Sequence, residues 1–196
     1  MRLYIYDEQE ARHAKHSTGD DPTTVKLPIR DVEGLRTALG QLVREGKTFR
    51  RVLWYTHGLP GQIAFGDDRL GMVELLQLRG FEALFPLPTK MYFSGCNVAA
   101  GLIGWQFLQM AGDVFLRGGG YTMAWTSTGH GYNQGSLRWL ISSHSVHFTG
   151  DVRIVTFKSG GTVLEFLSYS GGWLTGNFFE QMAITQKLNK IVPPYI

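Results

Sequence analysis

Short apolar runs that recur along the chain constrain its fold more than any other feature of the sequence. The runs RRVLWYTH (50–57), TKMYFSG (89–95) and GYTMAWTS (120–127) are compact and rich in β-branched and aromatic residues. Runs of this length and composition are typical of strands that are buried on both faces. The N-terminal MRLYIYD (1–7) alternates apolar and polar residues and predicts a further strand.

Helical patterns separate these predicted strands. Apolar residues at helical spacing predict helices from Asp31 to about Glu45, over 69–79, and from Val98 to Met110. The polar residues 8–28 and the glycine-containing residues 58–68 are predicted to be loops. Strands that alternate with helices form a parallel sheet, because each helix returns the chain to the start of the next strand.

The last third of the chain has a different pattern. HSVHFTG (144–150) is predicted to be a strand, and DVRIVTFKSGGTVLEF (151–166) a hairpin that turns at Ser159-Gly160-Gly161. Residues 173–190 are predicted to form a terminal helix. Together the patterns predict one α/β domain over residues 1–196, a three-layer sandwich with a mostly parallel central sheet and a C-terminal β-hairpin plus helix.

Composition excludes several classes of protein. Hydrophobic residues make up 43% of the 196 residues and charged residues 18%, which is typical of an ordinary globular chain. The formal charge of +3 is dispersed, without the basic stripe that nucleic-acid binding requires. The single cysteine excludes a disulfide framework and a multi-thiolate zinc site. We expect no signal peptide, no membrane span and a cytoplasmic location.

Two consecutive predicted strands end in residues that can carry chemistry. The strand 50–57 ends at His57-Gly58, and the strand 89–95 leads directly into Cys96. Functional loops of an open parallel sheet gather beyond the C-terminal ends of the strands. If the two strands are neighbours, His57 and Cys96 emerge at the same edge of the sheet.

Such a pairing would suit nucleophilic catalysis. A thiol attacks a carbonyl as the thiolate, so it needs a neighbouring base or cation. His57 can transfer protons, and the predicted helix after Cys96 would favour the thiolate through its N-terminal dipole. Gly58 has no side chain, so a substrate can approach its backbone, and its N–H and that of Cys96 could donate to an oxyanion.

The two strings around these residues resemble those of the caspase-like cysteine peptidases, which include caspases, legumains and gingipains. HGLPGQIAFG (57–66) resembles the His-Gly-x-x-Gly string of bacterial relatives, and SGCNVAAGLIG (94–104) their Gly-Cys-x-x-Ala-x-Gly string. The resemblance covers roughly residues 50–125. It implies the caspase-like sandwich, a peptidase with a Cys96–His57 dyad, a protein or peptide substrate, and no metal or organic cofactor.

The family builds part of its substrate pocket on the strand after the nucleophile helix. The resemblance therefore implies substrate-binding residues around Tyr121, Trp125, Thr126 and Ser127. These side chains are aromatic or hydroxylated and carry no formal charge, which favours an uncharged substrate side chain. The wider caspase signatures are absent, so specificity for aspartate is not carried over.

Other interpretations of the sequence remain open. A second His-Gly pair stands at His130, and His144 and His147 lie in HSVH, where a spacing of three on a strand does not suit a metal site. A buried, unreactive Cys96 would favour a non-catalytic caspase-like module that binds or scaffolds a partner. A cysteine-dependent acyl transferase or hydrolase of other substrates is a further alternative. The oligomeric state and any self-processing are undetermined.

Overall fold

The computed structural model describes residues 1–10, 22–126, 151–169 and 178–193. In chain order its strands are β1 (Arg2–Asp7), β2 (Thr24–Ile29), β3 (Arg51–Tyr55), β4 (His57–Leu59), β5 (Gln62–Phe65), β6 (Asp68–Leu70), β7 (Thr89–Phe93), β8 (Gly120–Trp125), β9 (Val152–Phe157) and β10 (Val163–Tyr169). Its α-helices are α1 (Val32–Arg44), α2 (Met72–Gln77), α3 (Gly101–Phe115) and α4 (Phe178–Ile191). Single 3₁₀ turns lie at Glu8–Glu10 and Phe81–Leu84.

The main sheet is mostly parallel, as the alternating pattern predicts. Its seven strands have the order β10-β9-β8-β7-β3-β1-β2. The strands β2, β1, β3, β7 and β8 run parallel, whereas β9 and β10 are antiparallel additions at one edge. The predicted hairpin is confirmed, because β9 and β10 pair on either side of the turn at Ser159-Gly160-Gly161.

Helices cover both faces of this sheet. The connections from β2 to β3, from β3 to β7 and from β7 to β8 all step in the same direction across the sheet. Right-handed crossovers that step in one direction place their helices on one face, and α1, α2 and α3 share one buried core there. The opposite face packs against Ile184 and Leu188 of α4 and against Val192, which follows the helix. No helix in the described ranges is long and apolar enough to cross a membrane.

Helix α1 illustrates how the sequence sets the boundaries of an element. The Asp31 carboxylate accepts a hydrogen bond from the Gly34 backbone N–H at 2.7 Å, which satisfies one of the free donors of the first turn. Leu35, Leu39 and Leu42 are buried along one side of the helix. Gly46 follows the helix with φ at +64°, a conformation that glycine adopts without strain.

Two predicted loops contain strands instead. Residues 24–29 form β2, an edge strand that pairs with β1, and an edge position tolerates Pro28 because the proline needs no ladder donor there. Residues 57–70 form a separate three-stranded antiparallel sheet of β4, β5 and β6. Glycines and a proline are typical of loops, but here Pro60, Gly61 and Gly66 occupy the turns and Gly58 lies within β4. The residues Ile63, Phe65 and Leu70 are fully buried.

Helix boundaries also differ from the prediction. Helix α3 begins at Gly101 rather than Val98, and it continues to Phe115. Helix α2 begins at Met72, because residues 68–70 belong to β6. The predicted strand at 144–150 lies outside the described residues, and the terminal helix is described from Phe178 to Ile191.

Candidate functional site

The candidate site lies where β3 and β7 end. These strands are parallel neighbours, with Trp54 opposite Phe93, and the Ser94 N–H extends the pairing by donating to the Trp54 carbonyl at 2.8 Å. His57 comes two residues after β3, and Cys96 comes three residues after β7. The predicted neighbour relationship is therefore confirmed, and both residues follow the same edge of the sheet.

Glycines bring the two segments into direct backbone contact. A Cβ atom on Gly58 would lie 2.5 Å from Cγ2 of Val98 and 2.7 Å from the Cys96 carbonyl oxygen. A Cβ atom on Gly95 would lie 2.9 Å from the Gly58 Cα. Only glycine fits at both positions, since real Cβ contacts are longer than this. The dipeptides His57-Gly58 and Gly95-Cys96 are thus packed against each other.

Cys96 stands in a turn that several hydrogen bonds hold in place. The turn spans residues 96–99, and Asn97 adopts a left-handed conformation with φ at 59°. The Gly61 N–H donates to the Val98 carbonyl at 2.9 Å, and the Ala99 N–H donates to the Trp125 carbonyl at 2.8 Å. Cys96 is partly exposed, as an attacking thiol needs to be.

The helix dipole does not support Cys96 in the way predicted from the sequence. Helix α3 begins at Gly101 with Ala100 as its N-cap, so Cys96 lies before the helix rather than in its first turn. The influence of a helix dipole falls off within about one turn of the end of the helix. The helix dipole is therefore too far from Cys96 to act on its thiol.

A carboxylate that sequence reasoning missed contacts His57. The Glu10 Oε1 atom lies 2.9 Å from Nε2 of His57. The Glu10 side chain is 23% exposed and that of His57 is 73% exposed, so the carboxylate is the more buried partner. A carboxylate on one ring nitrogen fixes the tautomer and orientation of an imidazole and stabilises its protonated form.

The end of β1 positions Glu10. The buried Asp7 accepts a hydrogen bond from the Gln9 N–H at 3.0 Å, which orders the 3₁₀ turn that carries Glu10. Its second oxygen accepts from the Gly66 N–H at 3.0 Å, which fastens this turn to the small sheet. An acidic residue just beyond a neighbouring parallel strand was the available sequence signal, but the 8–28 segment was interpreted as a loop.

The hairpin that follows His57 orients the backbone of Gly58. Leu59 pairs with Gln62 across the turn at Pro60-Gly61, and Gly58 pairs with Ile63. Hydrogen-bonded and non-hydrogen-bonded pairs alternate in an antiparallel ladder, and a two-residue turn is closed by a hydrogen-bonded pair. This alternation predicts that the Gly58 N–H points away from β5.

The predicted substrate-binding residues do not all lie near Cys96. Tyr121 is fully buried at the start of β8, at the opposite end of the sheet, where burial raises the pKa of its hydroxyl. Trp125 and Thr126 lie at the end of β8, on the same edge as Cys96. Ser127 and the histidines His130, His144 and His147 lie outside the described residues. The resemblance indicated the strand after the nucleophile helix but did not say which end of it lies at the site.

A cation on β9 fastens the segment between Cys96 and α3. The Nη1 atom of Arg153 donates to the carbonyl oxygen of Ala99 at 2.9 Å and also to that of Gly101. Its guanidinium carbon lies 4.8 Å from the centroid of the Trp105 ring, within the range of a cation–π contact. Arg153 therefore connects the segment that follows Cys96 to the antiparallel part of the sheet.

Replacing this arginine tests the connection. Arg153→Met should lower the free energy of unfolding by about 1–3 kcal/mol, because two carbonyl groups lose a charged donor. It should also slow the alkylation of Cys96 in the folded protein. The matched control is Arg79→Met, which removes only the exposed ion pair with Asp113 and should cost less than about 1 kcal/mol. Urea unfolding and alkylation rates are measured on both variants. Equal effects of the two substitutions would contradict the role of Arg153 in holding the segment that follows Cys96.

Comparisons with known proteins identify no relative of this chain. No family model matches it, and no curated protein and no solved structure match it. The assignment of a function accordingly depends on the geometry and chemistry of the site.

Proposed function

We propose that the protein is a cysteine peptidase that cleaves peptide bonds with Cys96 as nucleophile and His57 as acid and base. We further propose that its α/β sheet, with the antiparallel addition β9–β10, is a caspase-like sandwich. The substrate is a protein or peptide, bound at the edge of the sheet where β3, β7 and β8 end. No metal or organic cofactor takes part in this chemistry.

One observation carries the proposal. The backbone of Gly58 packs against that of Gly95 and Cys96 so closely that neither glycine can carry a side chain. The contact supports the pairing of His57 with the partly exposed Cys96, because the two residues adjoin the packed glycines beyond the ends of the neighbouring parallel strands β3 and β7. The carboxylate of Glu10 lies 2.9 Å from the imidazole, and a carboxylate in this position stabilises the protonated form of a histidine.

The first half of the reaction forms an acyl-enzyme. The Cys96 thiolate attacks the carbonyl carbon of the scissile bond, and the negative charge moves to the carbonyl oxygen. The N–H groups of Gly58 and Cys96 donate to that oxygen, where a preorganised donor stabilises the transition state by several kcal/mol. The carbon–nitrogen bond then breaks as His57 gives its proton to the leaving amine.

The second half releases the acid. His57, now neutral, takes a proton from water, and the resulting hydroxide attacks the thioester carbonyl. The carbon–sulfur bond breaks, the thiolate is restored and His57 keeps the proton. Glu10 stabilises the imidazolium and holds the ring in place through both halves.

The reactivity of the single thiol tests the proposal without knowledge of a substrate. Native Cys96 should react with iodoacetamide near neutral pH faster than a free model thiol, because a neighbouring imidazolium favours the thiolate. The chain contains one cysteine, so mass spectrometry should find one adduct. Rates are measured over a range of pH on protein whose folding is monitored by circular dichroism.

Matched variants identify the source of this reactivity. His57→Ala should slow the alkylation, whereas His130→Ala, at the other His-Gly pair, should leave it unchanged. A thiol that reacts only after denaturation would contradict the peptidase proposal. The non-catalytic binding module would then be the better interpretation.

Glu10 gives a separate prediction about the imidazole. Glu10→Gln keeps the shape of the side chain but removes its charge, so the imidazolium loses its stabilising partner. We expect peptide cleavage to fall by about ten- to a hundredfold, with a smaller effect for Glu10→Asp. Glu8→Gln is the matched control, since Glu8 is an exposed neighbour in the same turn. An unchanged rate of cleavage in Glu10→Gln would show that Glu10 does not contribute to catalysis by Cys96 and His57.

A further inference from the structure

A strip of side chains runs along the edge of the sheet beside Cys96. Tyr6 and Tyr55 are direct neighbours in the pairing of β1 with β3. The Ser94 N–H donates to the Trp54 carbonyl, which places Ser94 beside Tyr55. Phe93 pairs with Ala124, so the next position on each strand brings Ser94 beside Trp125. Since side chains alternate between the faces of a sheet, all four project from the same face.

The strip is the open margin of this face. Tyr6, Tyr55 and Ser94 are partly exposed, and Trp125 closes one end with 9% of its surface accessible. The row of residues behind the strip is buried, since Tyr4, Leu53 and Tyr92 are 1%, 3% and 2% exposed. A substrate side chain could therefore contact the residues of the strip, but it could not reach past them to the buried row of Tyr4, Leu53 and Tyr92.

The strip adjoins the reacting groups. Ser94 precedes Cys96 by two residues, and Tyr55 precedes His57 by two residues. Burial raises the pKa of the Tyr55 hydroxyl, and the charges of Glu10 and Cys96 raise it further. Tyr55 thus lies two residues from the histidine that contacts the Glu10 carboxylate.

Aromatic contacts make the walls of the strip rigid. The ring of Tyr6 stacks on that of Tyr4 with centroids 5.2 Å apart, and the Tyr4 and Tyr55 centroids are 6.2 Å apart. The ring of Trp125 meets that of Tyr92 edge to face at 6.1 Å. Preformed ring faces of this kind bind another flat apolar group with little loss of conformational entropy.

The charges around the strip disfavour acidic and basic substrate side chains. The side chains of the strip carry no positive charge, and neither do Tyr4, Leu53 and Tyr92 behind it. The nearest cation of that row is Lys26, which lies beyond Tyr4 on the edge strand β2, so an acidic side chain would find no partner within the strip. Glu10 adds negative charge at its border, which disfavours acids further. The carboxylate of Glu10 already contacts His57, and the buried row behind the strip offers no second carboxylate to a basic side chain.

From these observations we propose that the strip of Tyr6, Tyr55, Ser94 and Trp125 selects substrates with an aromatic side chain next to the scissile bond. This inference depends on the proposed peptidase function. An aromatic ring would gain contact with the tyrosine ring faces. A charged side chain would lose its hydration without compensation.

Three covalent probes test this specificity. Peptidyl acyloxymethyl ketones with identical leading residues and a final Phe, Asp or Lys each form a thioether with Cys96 as their carboxylate leaves. The Phe probe should label Cys96 about tenfold faster or more than the Asp and Lys probes, since a hydrophobic pocket discriminates by about this factor. Labelling is followed by intact-mass spectrometry, with iodoacetamide measured in parallel.

An added cation should change the preference. Tyr6→Arg should increase the rate with the Asp probe about tenfold relative to the Phe probe. Ser94→Arg is the second variant if Tyr6→Arg does not fold. The control Leu87→Arg adds the same charge at an exposed position before β7, at the other end of that strand, and should retain the wild-type order of rates.

The outcomes distinguish this inference from the proposed function. If iodoacetamide labels native Cys96 but the Phe probe is not preferred, the specificity is wrong and the peptidase proposal stands. Faster labelling by the Lys or Asp probe, or no labelling by any of the three, overturns the aromatic specificity in the same way. If iodoacetamide labels Cys96 only after denaturation, the peptidase proposal itself fails.

Discussion

Cys96→Ala should abolish peptide cleavage, with a loss on the order of 10⁴- to 10⁶-fold for an enzyme that loses its nucleophile. The fold should survive, because Cys96 is partly exposed in a turn that backbone hydrogen bonds hold in place. The measurement is turnover of the best substrate from a peptide library, with circular dichroism and urea unfolding on the same samples. A variant that retains appreciable turnover would exclude Cys96 as the nucleophile.

Cys96→Ser supplies the matched comparison for this loss. The hydroxyl is nearly the same size as the thiol, but it is a much weaker nucleophile beside an imidazole because it ionises far less readily. We expect Cys96→Ser to fold as the wild type does and to bind substrate, with cleavage still close to background. If Cys96→Ser and the wild type cleave at similar rates, the chemistry does not require a thiolate.

His57→Ala should produce the second largest loss, about 10²- to 10⁴-fold in turnover, which is the usual contribution of a general acid and base. Its effect on stability should stay below about 1 kcal/mol, because the side chain is 73% exposed and its contact with Glu10 is a hydrogen bond at the surface. Turnover against pH and urea unfolding are measured together. The rate loss should appear without a shift in the unfolding midpoint.

Two outcomes would contradict this role of His57. If His57→Ala unfolds the protein, the histidine is structural and its contact with Glu10 supports the fold rather than the chemistry. If His130→Ala is the inactive variant instead, the second His-Gly pair carries the proton transfers. External imidazole offers a further check, since it should partly restore turnover in His57→Ala and leave Cys96→Ala inactive.

The sequence predicted the central sheet because its evidence is local. The runs at 50–57, 89–95 and 120–127 are apolar throughout, as strands covered on both faces have to be, and each became a strand. The helix after Asp31 was predicted from its cap and its apolar side, and it forms where expected. The edge strand β2 was missed because an edge position permits polar residues and a proline, which are also typical of loops.

Short stretches of sequence also revealed part of the candidate site. His57 and Cys96 could be paired from sequence, because consecutive parallel strands of this type place their C-terminal ends side by side. The tight glycine contact between Gly58 and Gly95 is the tertiary consequence of the two short motifs. The expected aid from the helix dipole was wrong, because α3 begins only at Gly101.

Only the tertiary structure identified the partners that reach the site from elsewhere in the chain. Glu10 lies in the 3₁₀ turn after β1, and Asp7 holds that turn in place. Glu10 contacts His57 because β1 lies beside β3 in the sheet. Arg153 comes from an antiparallel strand, and no periodicity indicates that its side chain binds the carbonyls of Ala99 and Gly101. The sequence determined which residues become strands and which dipeptides end them, because burial and backbone conformation are local preferences. The order of the strands, and with it every contact between distant residues, was decided by packing.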